Sequence, residues 1–450
     1  MNKLIQFWGN LRSSFWFLPS LMVAGSIVFA VVLIETDTAT SDRWLSQWPR
    51  LFGVGAEGAR QMLSTLAGSM MTVMGITFSM TLLALTLASS QYTSRILRNF
   101  MRSRITQFTL GVFAGTFTYC LIVLRTIRGS PGVEEFVPSL AVFFAFVLSL
   151  GGVGVLIYFI HHIALSIQAS SIIASVAEET NASTDRLLPK EMDRGSDEDE
   201  GQNRGLESLD ERSWYPVPAA VSGYIQSVNN AALMNLARDN GTILRMEHGI
   251  GAFVVQNTAL VSLALTYPPD QQTIDTLNAA YSIGPHRTVD QDPAFGIRQI
   301  VDVALKALSP GVNDTSTAVM CVDYLTSILA RLAGRQFPSV HYYQGETLRV
   351  IAIVPSFEGL LAQAFDQIRS SAEENVAILA RLLGAIDTIG SLTIRPGYLR
   401  ALDEQLQYIA ELANRTIEAS HDRARLERRM SEVREILDAQ SVLCAEKQKA

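Results

Sequence analysis

The clearest chemical pattern in this chain is a row of hydroxyls. Thr65, Thr72, Ser79 and Thr86 recur every seven residues. At 100° per residue they share one helix side with Gly68, Ser69, Gly75 and Ser90. Such a stripe on an apolar helix has two uses. Small residues let helix backbones approach closely. Hydroxyl oxygens can also stand in for the hydration shell of an ion or small solute without the cost of a buried charge. The set Thr65, Ser69, Thr72, Gly75, Ser79 and Thr86 is therefore a candidate pore lining or packing stripe.

A second concentration of titratable groups lies further along, at His286, Asp290, Asp292, Arg298, Asp302, Lys306 and Asp314, with Asn313 among them. A catalytic or metal site could be assembled from such a set. The spacing favours a simpler use. Arg298, Asp302 and Lys306 sit four residues apart and fit an ion ladder on one helix. Ser309-Pro310-Gly311 stops that helix, and Asn313 or Asp314 caps the next, which runs through Leu332 to Gly334. No recognised metal-ligand spacing is present, nor a phosphate loop, dinucleotide fingerprint, nucleophile elbow or kinase signature. No cofactor and no metal are expected, and an enzyme would need an unfamiliar site.

These two sets need very different surroundings, and composition says which. Of 450 residues, 48% are hydrophobic and only 18% charged, against about 25% charged in soluble chains. That excludes a purely soluble enzyme, a disordered protein and a nucleic-acid binder. Residues 1–177 hold 11 basic and 6 acidic residues, and the remainder 25 and 37. A basic apolar part followed by an acidic polar part indicates a membrane domain and then a soluble one. Cys120, Cys321 and Cys444 are few and far apart, as suits a reducing cytoplasm.

Four uncharged runs, Ser13–Ile34, Gln61–Ser94, Ile105–Leu124 and Phe136–Ile160, reach the roughly 20 residues needed to cross a bilayer core of about 30 Å. The first lacks a small-residue cleavage site and is expected to remain as a span. Lys3, Arg12 and the arginines Arg95, Arg98, Arg102 and Arg104 mark the cytoplasmic side. Both termini are then inside, and the loops near 35–60 and at Gly129–Glu135 outside. Trp8, Trp16, Trp44 and Trp48 flank the first span as interfacial anchors. In the third span Gly111 and Gly115 form a GxxxG packing signal. The fourth carries Gly151, Gly152 and Gly154 and ends at Tyr158, His161 and His162. Those rings suit an interface better than a metal, because adjacent helical residues point about 100° apart.

Residues 163–185 are expected to prolong the fourth span. The stretch Lys190–Arg212 carries nine acidic and four basic residues and almost nothing apolar, so the linker at 186–212 is expected to be disordered. From 213 to 267, β-prone stretches at Ser222–Val228, Gly251–Val255 and Leu260–Leu265 surround a short helix at Ala231–Arg238. They suggest a small β-barrel or sandwich. Residues 270–335 look helical throughout. A strand at 348–354 closes at Pro355, and helical spacing runs from Phe357 through Leu383. The tail repeats Leu402, Leu406, Ile409, Ala413 and Leu426, Met430, Val433, Leu437. That pattern fits a helical hairpin turning near Ser420–Asp422, or an oligomerising coiled coil.

The expected architecture is therefore a membrane α-helical domain of four transmembrane helices at 1–177 and a cytoplasmic α+β region. The latter divides into 213–345, with the β-module, and 346–450, a strand plus helices. Specific residues also resemble a known family: Phe78-Ser79, Leu87-Ala88-Ser89-Ser90-Gln91-Tyr92, Arg95, Arg98-Asn99-Phe100, Gln107, Leu110-Gly111, Phe117 and Tyr119. The match continues through Tyr158–His162, Ser222-Gly223-Tyr224, Gln291-Asp292, Phe295–Gln299 and Ala307–Asp314. Together they look like an uncharacterised bacterial family of predicted integral membrane proteins with a domain of unknown function. The resemblance covers most of the chain outside linker and tail. It implies an inner-membrane protein and brings no activity with it. Where the family usually has a proline after the Asn-Asp pair, this chain has Thr315, which bears on the helix start there. The expected function is an oligomeric channel or transport-like protein with a cytoplasmic regulatory domain. Its expected partners are the lipid bilayer, further copies of itself and an ion or small solute, with no nucleic acid. The alternative is a membrane-anchored sensor or scaffold.

Overall fold

The computed structural model describes residues 16–39, 55–91, 104–128, 136–166, 168–188 and 212–449. The chain divides into two compact units, Met1–Ser171 and Ile172–Ala450. Trp8, Trp44, Trp48, the arginines at 95, 98 and 102, the turn at 129–135 and most of the acidic linker lie outside the described residues.

The first unit contains α1 (Phe17–Ala39), α2 (Ala56–Gln91), α3 (Arg104–Thr126) and α4 (Ser139–Ser166). Each is long and apolar enough to cross a membrane. Their outer surfaces stay apolar: Leu21, Val28, Leu83, Leu150 and Ile157 are all exposed. Apolar area on that scale calls for lipid rather than water. At 1.5 Å per residue, the 36 residues of α2 extend about 54 Å, beyond what the hydrocarbon core requires.

Close contacts fix the helix directions. On α3, Gly111 faces Pro19 and Met22, and Gly115 faces Met22 and Ser26. The positions rise together, so α1 and α3 run parallel. A Cβ on either glycine would lie 2.5 Å from a side-chain atom of α1, so the GxxxG pair is the seam where these backbones meet. At the start of α2, Arg60 donates to the carbonyl of Ile127, just past α3, at 3.3 Å. Asp37, near the end of α1, accepts from the amides of Leu140 and Ala141 at 3.2 and 3.1 Å. One helix thereby caps the exposed N–H groups of another, where the α4 dipole favours a negative charge. Hence α2 and α4 run opposite to α1 and α3, with the ends of α1 and α3 and the starts of α2 and α4 at the same end of the bundle. The Tyr119 hydroxyl, buried beneath, donates to the carbonyl of Ala141 at 2.8 Å.

The second unit is mixed α/β. α4 stops at Ser166, and after a bend at Gln168 comes α5 (Ala169–Leu187). The expected continuous helix from the fourth span is thus two helices. The apolar side of α5, with Ile172, Ile173, Val176 and Ala177, is buried, a packing that periodicity alone does not distinguish from an extended span. Among the described residues eight strands follow: β1 (Tyr215–Pro218), β2 (Gly223–Val228), β3 (Leu244–Met246), β4 (Phe253–Val254), β5 (Ala259–Leu263), β6 (Tyr281–Gly284), β7 (His341–Gln344) and β8 (Thr347–Ile351). They form a five-stranded sheet in the order β1-β5-β3-β8-β7 and a three-stranded sheet in the order β4-β2-β6. All described pairings are antiparallel except β3 with β8.

Neither sheet closes, so of the expected barrel or sandwich the barrel gives way to two open sheets. Pro216 and Pro218 in β1 have no N–H to offer a further strand, which ends the larger sheet there. The two sheets share a core of Val217, Ile225, Leu244, Leu260, Leu263 and Val350, together with Leu233 from α6 (Asn230–Asp239) and Leu277 from α7 (Gln271–Ala279). The β3–β8 pair, Leu244 opposite Val350, ties together residues on either side of position 345.

The rest is helical: α8 (Pro293–Leu308), α9 (Thr315–Ala333), α10 (Phe357–Ser370), α11 (Val376–Leu392), α12 (Pro396–Thr416) and α13 (Ser420–Lys449). β6 breaks the expected helical stretch 270–335, because Tyr281 and Ile283 pair with β2. The run expected through Leu383 is likewise two helices. Glu374 takes the left-handed region at φ 65°, and Asn375 caps α11 by accepting from the Ile378 amide at 3.2 Å. The tail forms the expected hairpin. Its repeats, from Leu402 through Leu437, are buried within the chain's own core, with α13 packed on α11 and α12.

Candidate functional site

On α2 the chain's own packing uses one side only. Ala59, Leu63, Ala67, Met70, Thr77 and Ala84 are buried. On the other side Thr65, Ser69, Thr72, Gly75, Ser79 and Thr86 are all exposed. A Cβ built on Gly68 or Gly75 would meet nothing within 4 Å. Close packing inside the chain is therefore carried by Gly111 and Gly115 of α3, and the α2 stripe is left open. Four of its hydroxyls are locally satisfied. Thr65 donates to the carbonyl of Gln61 (2.8 Å), Ser69 to Thr65 (2.8 Å), Thr72 to Gly68 (3.0 Å) and Thr86 to Leu82 (2.6 Å). Each oxygen keeps lone pairs directed away from the helix. On α4, Gly151 and Gly154 are also open, whereas Gly152 meets Phe113 and Met70. His162 stacks on Tyr158 at 6.4 Å, and the Ser166 hydroxyl lies 3.3 Å from its Nε2.

The 286–314 set does not converge. Asp292 caps α8, accepting from the Phe295 amide at 3.1 Å, and its other oxygen takes Arg287 Nε and Nη2 at 2.9 and 2.7 Å. Burial pushes the Asp292 carboxyl up from its ordinary value, against the pull of Arg287. Gly251 passes over this pair at φ 84°, where a Cβ would lie 2.4 Å from Asp292 Oδ2. Farther along α8, Arg298 pairs with Asp302 at 2.8 Å and also donates to Gln367. At the far end, Asn313 takes φ 47°, and Asp314 caps α9 through the Thr317 amide and hydroxyl at 3.0 and 2.6 Å. Those bonds hold the Asp314 carboxyl below its ordinary range. The His286 carbonyl accepts from Gln226 at 2.7 Å, while its ring points outward and is exposed. The two ends of this set are separated by the length of α8, about 24 Å for 16 residues. Among the described residues no three potential ligands gather as a metal site would need.

Several motif residues have structural work instead. Gln291 accepts from the amide of Val228 at 3.0 Å, and Ser222 from that of Gln256 at 2.8 Å. Thr315, standing where a proline was expected, is the first residue of α9, and its hydroxyl accepts from Asn375 at 3.1 Å. Burial pushes the Cys321 thiol up to about 12, which disfavours the thiolate. Sequence reasoning missed Asp37, whose role depends on a partner helix about a hundred residues away, and it missed the pairing of Asp185 with Arg331 and Arg335.

A family model described as "Predicted membrane protein (DUF2254)" matches residues 12–388. An uncharacterised protein of Mycobacterium tuberculosis and one of Mycobacterium bovis are each 30% identical over 432 residues, covering 92% of this chain and 79% of theirs. No solved structure matches. With Gly111, Gln291-Asp292 and the Ser309–Asp314 turn at its structural joints, the chain belongs to this family of predicted membrane proteins.

Proposed function

We propose that the protein is an oligomeric channel or transport-like protein, in which α2 presents its hydroxyl and glycine side to a shared path lined by neighbouring copies. One observation carries this reading: the stripe is open in the single chain while the opposite side of the same helix is consumed by packing. Four helices enclose little space alone, so a path needs several copies round an axis. In this reading α1–α4 are the four spans, both termini are cytoplasmic, the membrane is the inner membrane, and the second unit regulates. The fifth apolar helix, α9, belongs to that unit. Its polar side carries Asp323 and Arg331, paired with Arg381 and Asp185.

The alternative, a membrane-anchored sensor or scaffold, is favoured by the hydroxyls bonding back to their own helix, which a lipid-facing helix also requires. Cross-linking separates the two. In native membranes, with the three native cysteines replaced by alanine, Thr72→Cys and Ser79→Cys are expected to give covalent dimers on oxidation. Ile157→Cys, on the outer surface of α4, is expected to give none. If neither α2 position cross-links while the protein remains in the membrane, the stripe faces lipid and the anchored reading replaces the channel.

A further inference from the structure

In the second unit, β2 and β4 end in an exposed apolar tip. Tyr224 pairs with Phe253 across the two strands, and their rings meet edge to face at 5.0 Å. Val254 is buried in the core, so its neighbours Phe253 and Val255 stand on the outer face. The segment 219–222 lies alongside. There the Asn257 amide donates to the carbonyl of Ala219 at 2.9 Å, and the Gln256 amide to the Ser222 hydroxyl at 2.8 Å. That segment exposes Val221. Val221, Phe253 and Val255 are each about half exposed.

Charge, size and tether decide what covers this tip. No Asp, Glu, Lys or Arg occurs in 219–237 or in 249–269, although the chain from residue 178 onward holds 25 basic and 37 acidic residues. Charges bordering the tip are paired: Glu247 with Arg245 at 2.9 Å, and Asp292, beneath Gly251, with Arg287 at 2.7 Å. An acidic body is repelled by the anionic surface of a membrane and can approach it only through an uncharged face. Three half-exposed side chains offer on the order of 250 Å², well short of the roughly 800 Å² per partner in a stable protein–protein interface. The second unit is also tied to the membrane by its own chain, since α5 begins three residues after α4 ends. Lipid contact then costs little further freedom of movement. We infer that Val221, Phe253 and Val255 insert shallowly into the headgroup region of the bilayer that holds the first unit. β4 is the edge of its sheet, so only side chains enter and its unpaired backbone groups stay in water. This insertion does not depend on whether α2 lines a path.

The test uses the full chain reconstituted in vesicles of phosphatidylcholine and phosphatidylglycerol. The native cysteines are buried, so a single added cysteine takes a polarity-sensitive fluorophore. Val255→Cys is compared with Glu411→Cys, an exposed position on α12, using phosphatidylcholine that carries a nitroxide just below the headgroup. The label at 255 is expected to be quenched at least about threefold more than the label at 411. Adding Val221→Ser and Phe253→Ser together is expected to bring it down to the level at 411, whereas Phe253→Leu, which stays apolar, is expected to retain it. Equal quenching at 255 and 411 would overturn the inference, as would quenching indifferent to the serine pair. A label at 255 that is shielded from water yet unquenched by the lipid, with unlabelled Val255→Cys forming covalent dimers on oxidation, would overturn it in favour of a second copy.

Discussion

Replacing Asp292 by alanine is expected to destabilise the second unit by on the order of 3–5 kcal/mol, a large fraction of the roughly 5–15 kcal/mol by which an ordinary protein is stable. Two losses combine. The amide of Phe295 loses its cap, worth about 1 kcal/mol. The larger loss falls on Arg287. Its guanidinium is three-quarters covered and lies against the Phe295 ring at 5.1 Å, and without Asp292 it becomes a half-buried cation lacking its counter-ion. Asp292→Asn separates the two effects. It keeps an N-cap oxygen and loses only the charge, so it is expected to fall between wild type and Asp292→Ala. Urea unfolding of the full chain in detergent, followed by Trp214 fluorescence, reads this order. Equal stability of the alanine and asparagine variants would show that the cap, and not the ion pair, is what Asp292 supplies.

Enlarging Gly296 is expected to separate α5 from α8, at a cost of about 3 kcal/mol for Gly296→Leu. A Cβ on Gly296 would lie 1.9 Å from Thr180 Oγ1 and 2.9 Å from Thr180 Cβ. Turning the threonine gives no relief, because it is branched at Cβ and its other branch already stands 3.0 Å away. Its hydroxyl is also tied to the carbonyl of Val176 at 2.6 Å. Gly384→Ala on α11 is the control. A Cβ built there would meet nothing within 4 Å, and the variant gains up to about 1 kcal/mol from helix propensity. Limited proteolysis near Arg186 and thermal unfolding together report the loss. A Gly296→Leu protein as stable as wild type, with α5 still protected, would mean that α5 is not docked through this glycine.

These two sites show where the sequence was legible. Asp314 was readable as a cap because its partner, Thr317, is three residues away, and the Ser309-Pro310-Gly311 stop is equally local. The apolar helices α1–α4 were readable because runs of twenty apolar residues have few other uses. The tail hairpin followed from spacing that matched its burial. What failed was non-local. β3 is three residues long and exists because β5 and β8 flank it. β6 carries little alternation and is defined by its pairing with β2. The break at 371–375 needed the positive φ of Glu374, a residue type that rarely announces one. The α2 stripe was legible as a pattern, yet its openness was not, since packing and path-lining call for the same small residues. Only the placement of Gly111 and Gly115 against α1 showed that the chain's internal packing is met elsewhere.

The central claim, a path lined by the open side of α2, is tested most directly by electrical recording. Purified protein in planar bilayers, wild type beside Ser79→Arg, is the measurement. Discrete conductance steps are expected from the wild type. Ser79→Arg, which places a fixed positive charge midway along the stripe, is expected to abolish them or to reverse ion selectivity. Silence of the wild type across salts, pH and voltage, or currents indifferent to the arginine, would contradict the claim.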